Sequence, residues 1–350
     1  MVGNRLRTIC LGPEKVLKKS VDVRSIQIED PRRRLFRRHL KNPILCAFDW
    51  PYFVNTVFNP GAVRLEDGET VLLCRVEDCS GRSHLTVARS ADGVSDWRID
   101  PEPTFPPDVE GHPEEKWGVE DPRIVWVEEL RKYAVTYTCY SPAGPGVSLA
   151  LTDDFQTFDR IGNVMLPEDK DAALLPRRID GKWAMIHRPV ARTGEAHIWI
   201  SFSPDLEHWG RHSIVLHAKR GPWWDSHKIG VSPPPIETSE GWLLLYHGVR
   251  QTPAGCLYRL GLALLDLEDP RRCLLRGVKW IMGPETDYER TGDVGDVVFS
   301  CGYTLNRDRD TVNLYYGAAD TSIALATGSV GELLGWLREN ATPGDVEPGS

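Results

Sequence analysis

Long apolar runs are missing from this chain. No stretch approaches 18 consecutive apolar residues, which excludes a transmembrane helix. The opening MVGNRLRTICLGPEKVLKKS has basic side chains but no apolar segment of signal-peptide length, so cytoplasmic residence is expected. Metal and nucleotide signatures are missing too: there is no HExxH, EF-hand loop, Cys/His zinc spacing, GxGxxG or GxxxxGK[ST]. No resident metal or cofactor is therefore expected. An excess of basic charge is lacking, since 42 Lys and Arg against 50 Asp and Glu leave a net charge of −8. Nucleic-acid binding needs a basic face and is not expected, although a local basic pocket remains compatible. The eight cysteines form no CxxC pair, and Cys74 and Cys79 stand five apart. They read as reduced, mostly buried thiols rather than a disulfide framework.

What is present is the composition of a globular β protein. A length of 350 residues gives a prior of about two domains, although closed all-β architectures run longer as one unit. Apolar residues at 41% and charged residues at 26% exclude disorder through most of the chain. Twelve Trp, 31 Gly and 26 Pro imply short strands joined by tight turns. Most of the tryptophans read as packing residues. Trp117 and the pair Trp223-Trp224, beside Gly and Pro, are candidate platforms for a sugar ring.

The chain repeats itself. A strand ending in a Ser/Thr-x-Asp turn and followed by an aromatic occurs at Ser90 to Asp92 before Trp97, and at Thr152 to Asp154 before Phe158. It recurs at Ser203 to Asp205 before Trp209, and a degenerate copy ends at Asp266. Short Ser and Asp side chains suit such turns because they bond nearby backbone groups. Before each copy comes a hairpin pattern, with Asp-Gly, Glu-Gly or a polar run at its turn. Five hairpins, starting near Asn59, Glu120, Ala172, Ser232 and Val297, recur about every 60 residues, enough for one four-stranded sheet each. Five such sheets fit an all-β fold, a five-bladed β-propeller, whose radial closure removes the exposed edges of a long open sheet. A β-sandwich with accidental similarity among its hairpins is the competing fold.

Helix is sparse. Arg32 to Leu40 reads as a short basic helix before the first blade, and Val330 to Arg338 as a terminal helix packing on the propeller or on a second subunit. The domain reading is an N-terminal extension over 1–41, a catalytic propeller over 42–328, and a C-terminal helix and tail over 329–350.

Ionisable residues crowd equivalent ends of the five units. Asn59 and Arg75 flank the first hairpin, Asp121 enters the second, and Lys170 and Arg188 flank the third. Lys228 and His247 belong to the fourth, with Tyr258 beyond them, and Asp320 leaves the fifth. Charged groups beside apolar strands are costly unless paired, so each one alone reads equally well as a salt bridge fixing a strand end. All five units doing this together point to a site. Lys170, Arg188, Lys228 and His247 would make a cationic patch for a small oxyanion such as phosphate. Asp121 and Asp320 can donate a proton or accept from hydroxyls. Asn59, Arg75 and Tyr258 complete the mixture that sugar recognition needs.

The strings FNPGA (58–62), RVED (75–78), GVEDPRI (118–124), KDAALLP (170–176), HRP (187–189), KIG (228–230), YRLGLALLDLEDP (258–270) and YYGAAD (315–320) resemble glycoside hydrolase family 130, the β-mannoside phosphorylases and related β-1,2-mannosidases. The resemblance spans roughly residues 42 to 328 and implies a five-bladed propeller. It implies that Asp121 is the single catalytic acid, protonating the mannosyl 3-hydroxyl, which passes its own proton to the glycosidic oxygen. Inorganic phosphate then attacks the anomeric carbon from the opposite face and gives α-mannose 1-phosphate. By the same resemblance Lys170, Arg188, Lys228 and His247 bind phosphate, and Asn59, Arg75, Tyr258 and Asp320 bind the mannosyl unit. The residues around KIG, including His227, Val231 and Ser232, depart from the family pattern, and 287–296 match less clearly.

Two other readings stay open. An inverting hydrolase needs two carboxyl groups roughly 6.5–9.5 Å apart, one of them activating water. Glu77, Asp78 and Asp171 are the candidates for that base. Glu120 neighbours Asp121 but would face the other way on an extended strand. A non-catalytic carbohydrate-binding propeller is the third reading, since a fold does not fix a function. The expected partners are a β-mannoside and phosphate, with no nucleic acid and no membrane, and homo-oligomers are left open.

Overall fold

The computed structural model describes residues 35–191, 195–253 and 255–343. A short strand, β1 (Phe36–Arg38), precedes five antiparallel units. Unit one holds β2 (Thr56–Arg64), β3 (Thr70–Glu77), β4 (Ser83–Ser90) and the two-residue β5 (Arg98–Ile99). Unit two holds β6 (Gly118–Val127), β7 (Lys132–Ser141), β8 (Gly144–Thr152) and β9 (Asp159–Met165). Unit three holds β10 (Asp169–Leu174), β11 (Trp183–Pro189), β12 (Ile198–Ser203) and β13 (Gly210–Leu216). The first strand of unit four is split into β14 (Lys228–Val231) and β15 (Ile236–Thr238). Pro233, Pro234 and Pro235 interrupt it because they have no N–H for the ladder. β16 (Gly241–Thr252), β17 (Gly255–Leu265) and β18 (Cys273–Gly277) follow. A one-turn helix, α1 (Asp287–Arg290), leads to unit five: β19 (Val298–Leu305), β20 (Thr311–Ala318) and β21 (Ser322–Ser329). Helix α2 (Val330–Asn340) and strand β22 (Ala341–Pro343) end the described chain, and β22 pairs with β18.

Each hairpin read from the sequence forms, as β2–β3, β6–β7, β10–β11, β14/β15–β16 and β19–β20. Units one and two are joined into one sheet by a single parallel contact, Ser83 opposite Gly118. The cores lie between units. Leu85 packs with Val135, Val147 with Leu174, Ile186 with Ile229, and Leu245 with Leu314. Leu72 of unit one packs with Leu325 of unit five. Every unit therefore shares a core with the next, and the last shares one with the first. A fully buried Leu in such an interface contributes about 1.5–3 kcal/mol. The first strands of the units also lie side by side, β2 against β6 and β19, β6 against β10, and β10 against β14.

The recurring turn uses one set of bonds. Asp92 accepts from the N–H of Val94 and Ser95, Asp154 from Gln156 and Thr157, and Asp205 from Glu207 and His208. The preceding hydroxyl of Ser90, Thr152 or Ser203 accepts from the N–H three residues on. Asp266 repeats the carboxylate bonds with Glu268 and Asp269. The Trp97 and Trp209 indoles donate back to Val94 and Leu206 carbonyls.

The basic segment before unit one differs from expectation. Residues 1–34 lie outside the described chain, and Phe36–Arg38 is a strand rather than a helix. It pairs with β21, with Phe36 opposite Gly328. Arg38 reaches Glu289 at 2.7 Å, Glu285 at 3.2 Å and the Gly283 carbonyl at 2.7 Å. Tertiary pairing overrides a helical pattern too short to hold alone. The terminal helix forms as read and buries Leu333, Leu334 and Trp336. Trp224 is a packing residue, stacked on Tyr246 with ring centroids 5.5 Å apart, while Trp117 and Trp223 are partly exposed. No helix among the described residues is long and apolar enough to cross a membrane, and their seven cysteines are all free.

Candidate active site

The site grows from a repeated defect in the strands. In β2, β6, β10 and β19 the pairing register slips at corresponding places, after Phe58, Glu120, Lys170 and Phe299. Such bulges re-aim side chains. In three of them the bulged residue has a left-handed backbone: Asn59 at φ 43°, Asp121 at 51° and Asp171 at 50°. Asp320, in the turn after β20, stands at 48°. Asn and Asp tolerate this conformation better than other residues with a side chain. One backbone device thus aims four polar side chains inward.

They meet in a cavity of about 220 Å³. All nine residues singled out in the sequence line it: Asn59 and Arg75 from unit one, Asp121 from unit two, and Lys170 and Arg188 from unit three. Lys228, His247 and Tyr258 come from unit four and Asp320 from unit five. Asp171 and Phe299 complete the inner wall, and the half-exposed Val294 stands at its mouth.

On one side stands Asp121. Its Oδ1 accepts from Asn59 Nδ2 at 2.9 Å and from Arg75 Nη1 at 3.1 Å. Its Oδ2 has no partner among the described residues, so that oxygen is available to a ligand. Glu120 does not face away unused: it bridges Arg75 at 3.2 Å and Lys170 at 3.1 Å. Burial opposes its charge, but the two cations hold its carboxyl below the usual range. Gly317 is required here, because a Cβ would collide with the Asn59 amide.

Units three and four carry the cations. Arg188 and Lys170 face each other across β10 and β11. Arg188 Nε donates to Asp171 Oδ2 at 2.7 Å. Its two terminal nitrogens have no partner among the described residues, although the residue is only 5% exposed. The Lys228 ammonium likewise has no ion pair there and lies 5.3 Å from the Tyr258 ring centroid. Burial, and then the crowding of Arg188, push its pKa down. Lys170, by contrast, is answered by Glu120. His247 differs from its expected role as a cation. Burial depresses its pKa despite Asp171 Oδ2 at 3.4 Å, so the neutral ring is the form to expect near neutral pH. Lys228 and the terminal nitrogens of Arg188 are the cationic donors left open.

Sequence reasoning kept Asp171 only as a candidate base and passed over Arg123. The Arg123 guanidinium, 2% exposed, donates to the carbonyls of Ser232, Val231 and Asp121, and its Nη2 lies 3.5 Å from Asp171 Oδ1. It ties the Asp121 backbone to unit four. Burial opposes the Asp171 charge, but Arg188, His247 and Arg123 hold its carboxyl well below the ordinary range, which makes it a weak base. The other candidate bases are also engaged. Glu77 pairs with Arg75 at 3.4 Å, and Asp78 accepts from Ser80 and Arg82 in a turn. The visible signal for Asp171 was its place in KDA, matching Asp121 in GVEDPRI; Arg123 stands in that same string, but nothing in it points to its carbonyl acceptors.

Asp320 is the carboxyl at odds with its surroundings. Burial, with Asp121, Glu77 and Glu120 nearby, raises its pKa from 3.8 to about 6 despite Arg75. A carboxyl raised on folding contributes stability below its unfolded value, and that contribution is lost as the pH rises through about 6. At about 1.4 kcal/mol per pH unit, the charged form costs on the order of 3 kcal/mol at neutral pH. Asp320→Asn is therefore expected to raise the melting temperature at pH 7.5, with the gain shrinking toward pH 4. A gain independent of pH in thermal unfolding would contradict this.

Comparison with known proteins agrees with the geometry. The family model described as beta-1,4-mannooligosaccharide phosphorylase matches residues 38–339. The chain belongs to glycoside hydrolase family 130. Among family members, the beta-1,4-mannooligosaccharide phosphorylase of Ruminococcus albus is 34% identical over 312 residues, covering 87% of this chain and 91% of its own. The beta-1,2-mannobiose phosphorylase of Listeria innocua is 38% identical over 260 residues, covering 74% of this chain and 70% of that protein. The solved structure of a beta-1,2-mannobiose phosphorylase from Listeria innocua with beta-1,2-mannobiose superposes with a TM-score of 0.78 at 31% identity, covering 87% of this chain and 99% of that one. Family 130 also contains glycoside hydrolases that target beta-1,2 mannosidic linkages in Candida mannan. A structure from that work has a TM-score of 0.73 at 27% identity, covering 83% and 93%.

Proposed function

We propose that the protein is an inverting β-mannoside phosphorylase, a five-bladed propeller enzyme that uses inorganic phosphate as co-substrate, needs no resident cofactor and works in the cytoplasm. The five units sharing cores in a closed cycle support the propeller reading. One observation carries the choice of reaction. In the cavity that holds Asp121, Lys228 and the terminal nitrogens of Arg188 are cationic donors without a partner among the described residues, while Glu77, Asp78 and Asp171 are each held by other partners. Phosphate arrives as an anion and needs no base, whereas water does.

In this reading the mannosyl unit lies between Asp121 and the cations, held by Asn59, Arg75, Tyr258 and Asp320. Asp121 gives the proton on Oδ2 to the 3-hydroxyl, which passes its own to the departing glycosidic oxygen. As the anomeric C–O bond breaks, a phosphate oxygen held by Arg188 and Lys228 bonds to that carbon from the opposite face. The products are α-mannose 1-phosphate and the free acceptor sugar. The test is the fate of a β-mannobiose with and without phosphate. Loss only with phosphate, with mannose 1-phosphate appearing, is expected. Equal release of free mannose in both buffers makes the protein a hydrolase, and no loss in either makes it a binding module.

A further inference from the structure

The cations that face the cavity also face a second one. A chamber of about 400 Å³ is lined by Lys170, Arg188 and Lys228, the same three side chains that line the first cavity. The trio therefore borders both spaces. The exposed residues of the two linings differ. The first has half-exposed Val294 at its mouth, whereas the second has exposed Ala191 and His227.

We propose that this second chamber is a separate route by which phosphate reaches its site while the mannoside occupies the first cavity. The inference rests on the phosphorylase reading and adds a direction of approach. Lys170 and Arg188 are answered by Glu120 and Asp171, so the Lys228 ammonium and the open terminal nitrogens of Arg188, against one lining carboxylate, Glu168, set the sign of the chamber. A charged wall draws an oppositely charged small ligand and raises its local concentration. Arg188 and Lys228 can meet an anion from either space, because both residues line both. The chemistry creates the need. Phosphate must sit on the face of the anomeric carbon opposite the leaving group, and a bound mannoside stands between that face and the first mouth. With a rear route the two substrates bind in either order.

The experiment measures phosphate association in a stopped-flow instrument by tryptophan fluorescence, using the full-length Asp121→Asn enzyme, whose turnover is expected to be about 10²–10⁴-fold slower. Inorganic phosphate is mixed with free enzyme and with enzyme saturated by the β-mannobiose that the wild type cleaves. The expected result is the same association rate in both. Ala191→Trp, at an exposed position outside the binding machinery, is expected to slow both association and dissociation about tenfold or more, within the one to three decades such rates span among variants, at unchanged phosphate affinity. A mannobiose-saturated enzyme that takes up phosphate tenfold slower overturns the route. So does an Ala191→Trp enzyme that leaves phosphate rates unchanged, or that weakens mannobiose instead, which would make the chamber a sugar subsite. If free enzyme binds no phosphate at all, the role of the cations fails, and the route with it.

Discussion

Asp121→Asn is expected to lower mannoside turnover in phosphate buffer by about 10²–10⁴-fold, the range that a positioned acid contributes, while mannoside binding survives. The geometry makes this exchange unusually clean. Position 121 has a left-handed backbone at φ 51°, and Asn59, at 43°, shows that Asn sits comfortably in the same kind of bulge. The Oδ1 atom that accepts from Asn59 and Arg75 is kept, and only the oxygen able to carry the proton is replaced. Asp121→Ala would confound the result with backbone strain of about 1–2 kcal/mol. The measurement is kcat for the mannoside together with its dissociation constant by calorimetry. Near-normal kcat would move the acid elsewhere in the cavity, with Asp320 first to examine.

The second large effect belongs to Arg188. A hydrogen bond to a charged group contributes about 1.5–3 kcal/mol, so Arg188→Ala is expected to raise the Michaelis constant for phosphate roughly 10- to 150-fold. The constant for the mannoside should move little. Lys228→Ala should act in the same direction. Arg188→Lys should recover only part of the loss, because an ammonium lacks the guanidinium's paired donors. Removing Arg188 does not leave Asp171 alone, since Arg123 at 3.5 Å and His247 at 3.4 Å remain, which keeps the fold intact for the test. Equal weakening of both substrates would mean a structural role for Arg188, and no change would take phosphate away from this corner.

The strands and the cavity residues were readable because both follow from local rules. Hairpin turns and alternating apolar residues are short-range signals, and the Asp92, Asp154 and Asp205 turns are set by atoms three residues away. Polar residues beside apolar strands gave the site list, since an unpaired charge there requires an explanation. What escaped depends on long-range contact. The Phe36–Arg38 segment takes its form from partners some 250 to 290 positions later, Glu289 and β21. Arg123 reads as one more arginine in a strand until its carbonyl acceptors in unit four are seen. His247 looks cationic until its burial is known. The bulges could not be read at all, because a register slip is a relation between two strands.

The pairing of β1 with β21 also governs the order of events at the ribosome. Phe36 meets Gly328, and the Ile44 and Leu45 N–H groups meet the Ile323 carbonyl. These residues leave the exit tunnel well before their partners are made. At about 5–20 residues per second, roughly 15–60 s separate the two ends. During that interval β1, the outer strand of the final unit, has no β21 to pair with, and the cycle of units stays open however well the earlier ones have formed. The seam is therefore the last place to acquire protection and the first place where a chaperone, or a second nascent chain, finds an unmatched edge.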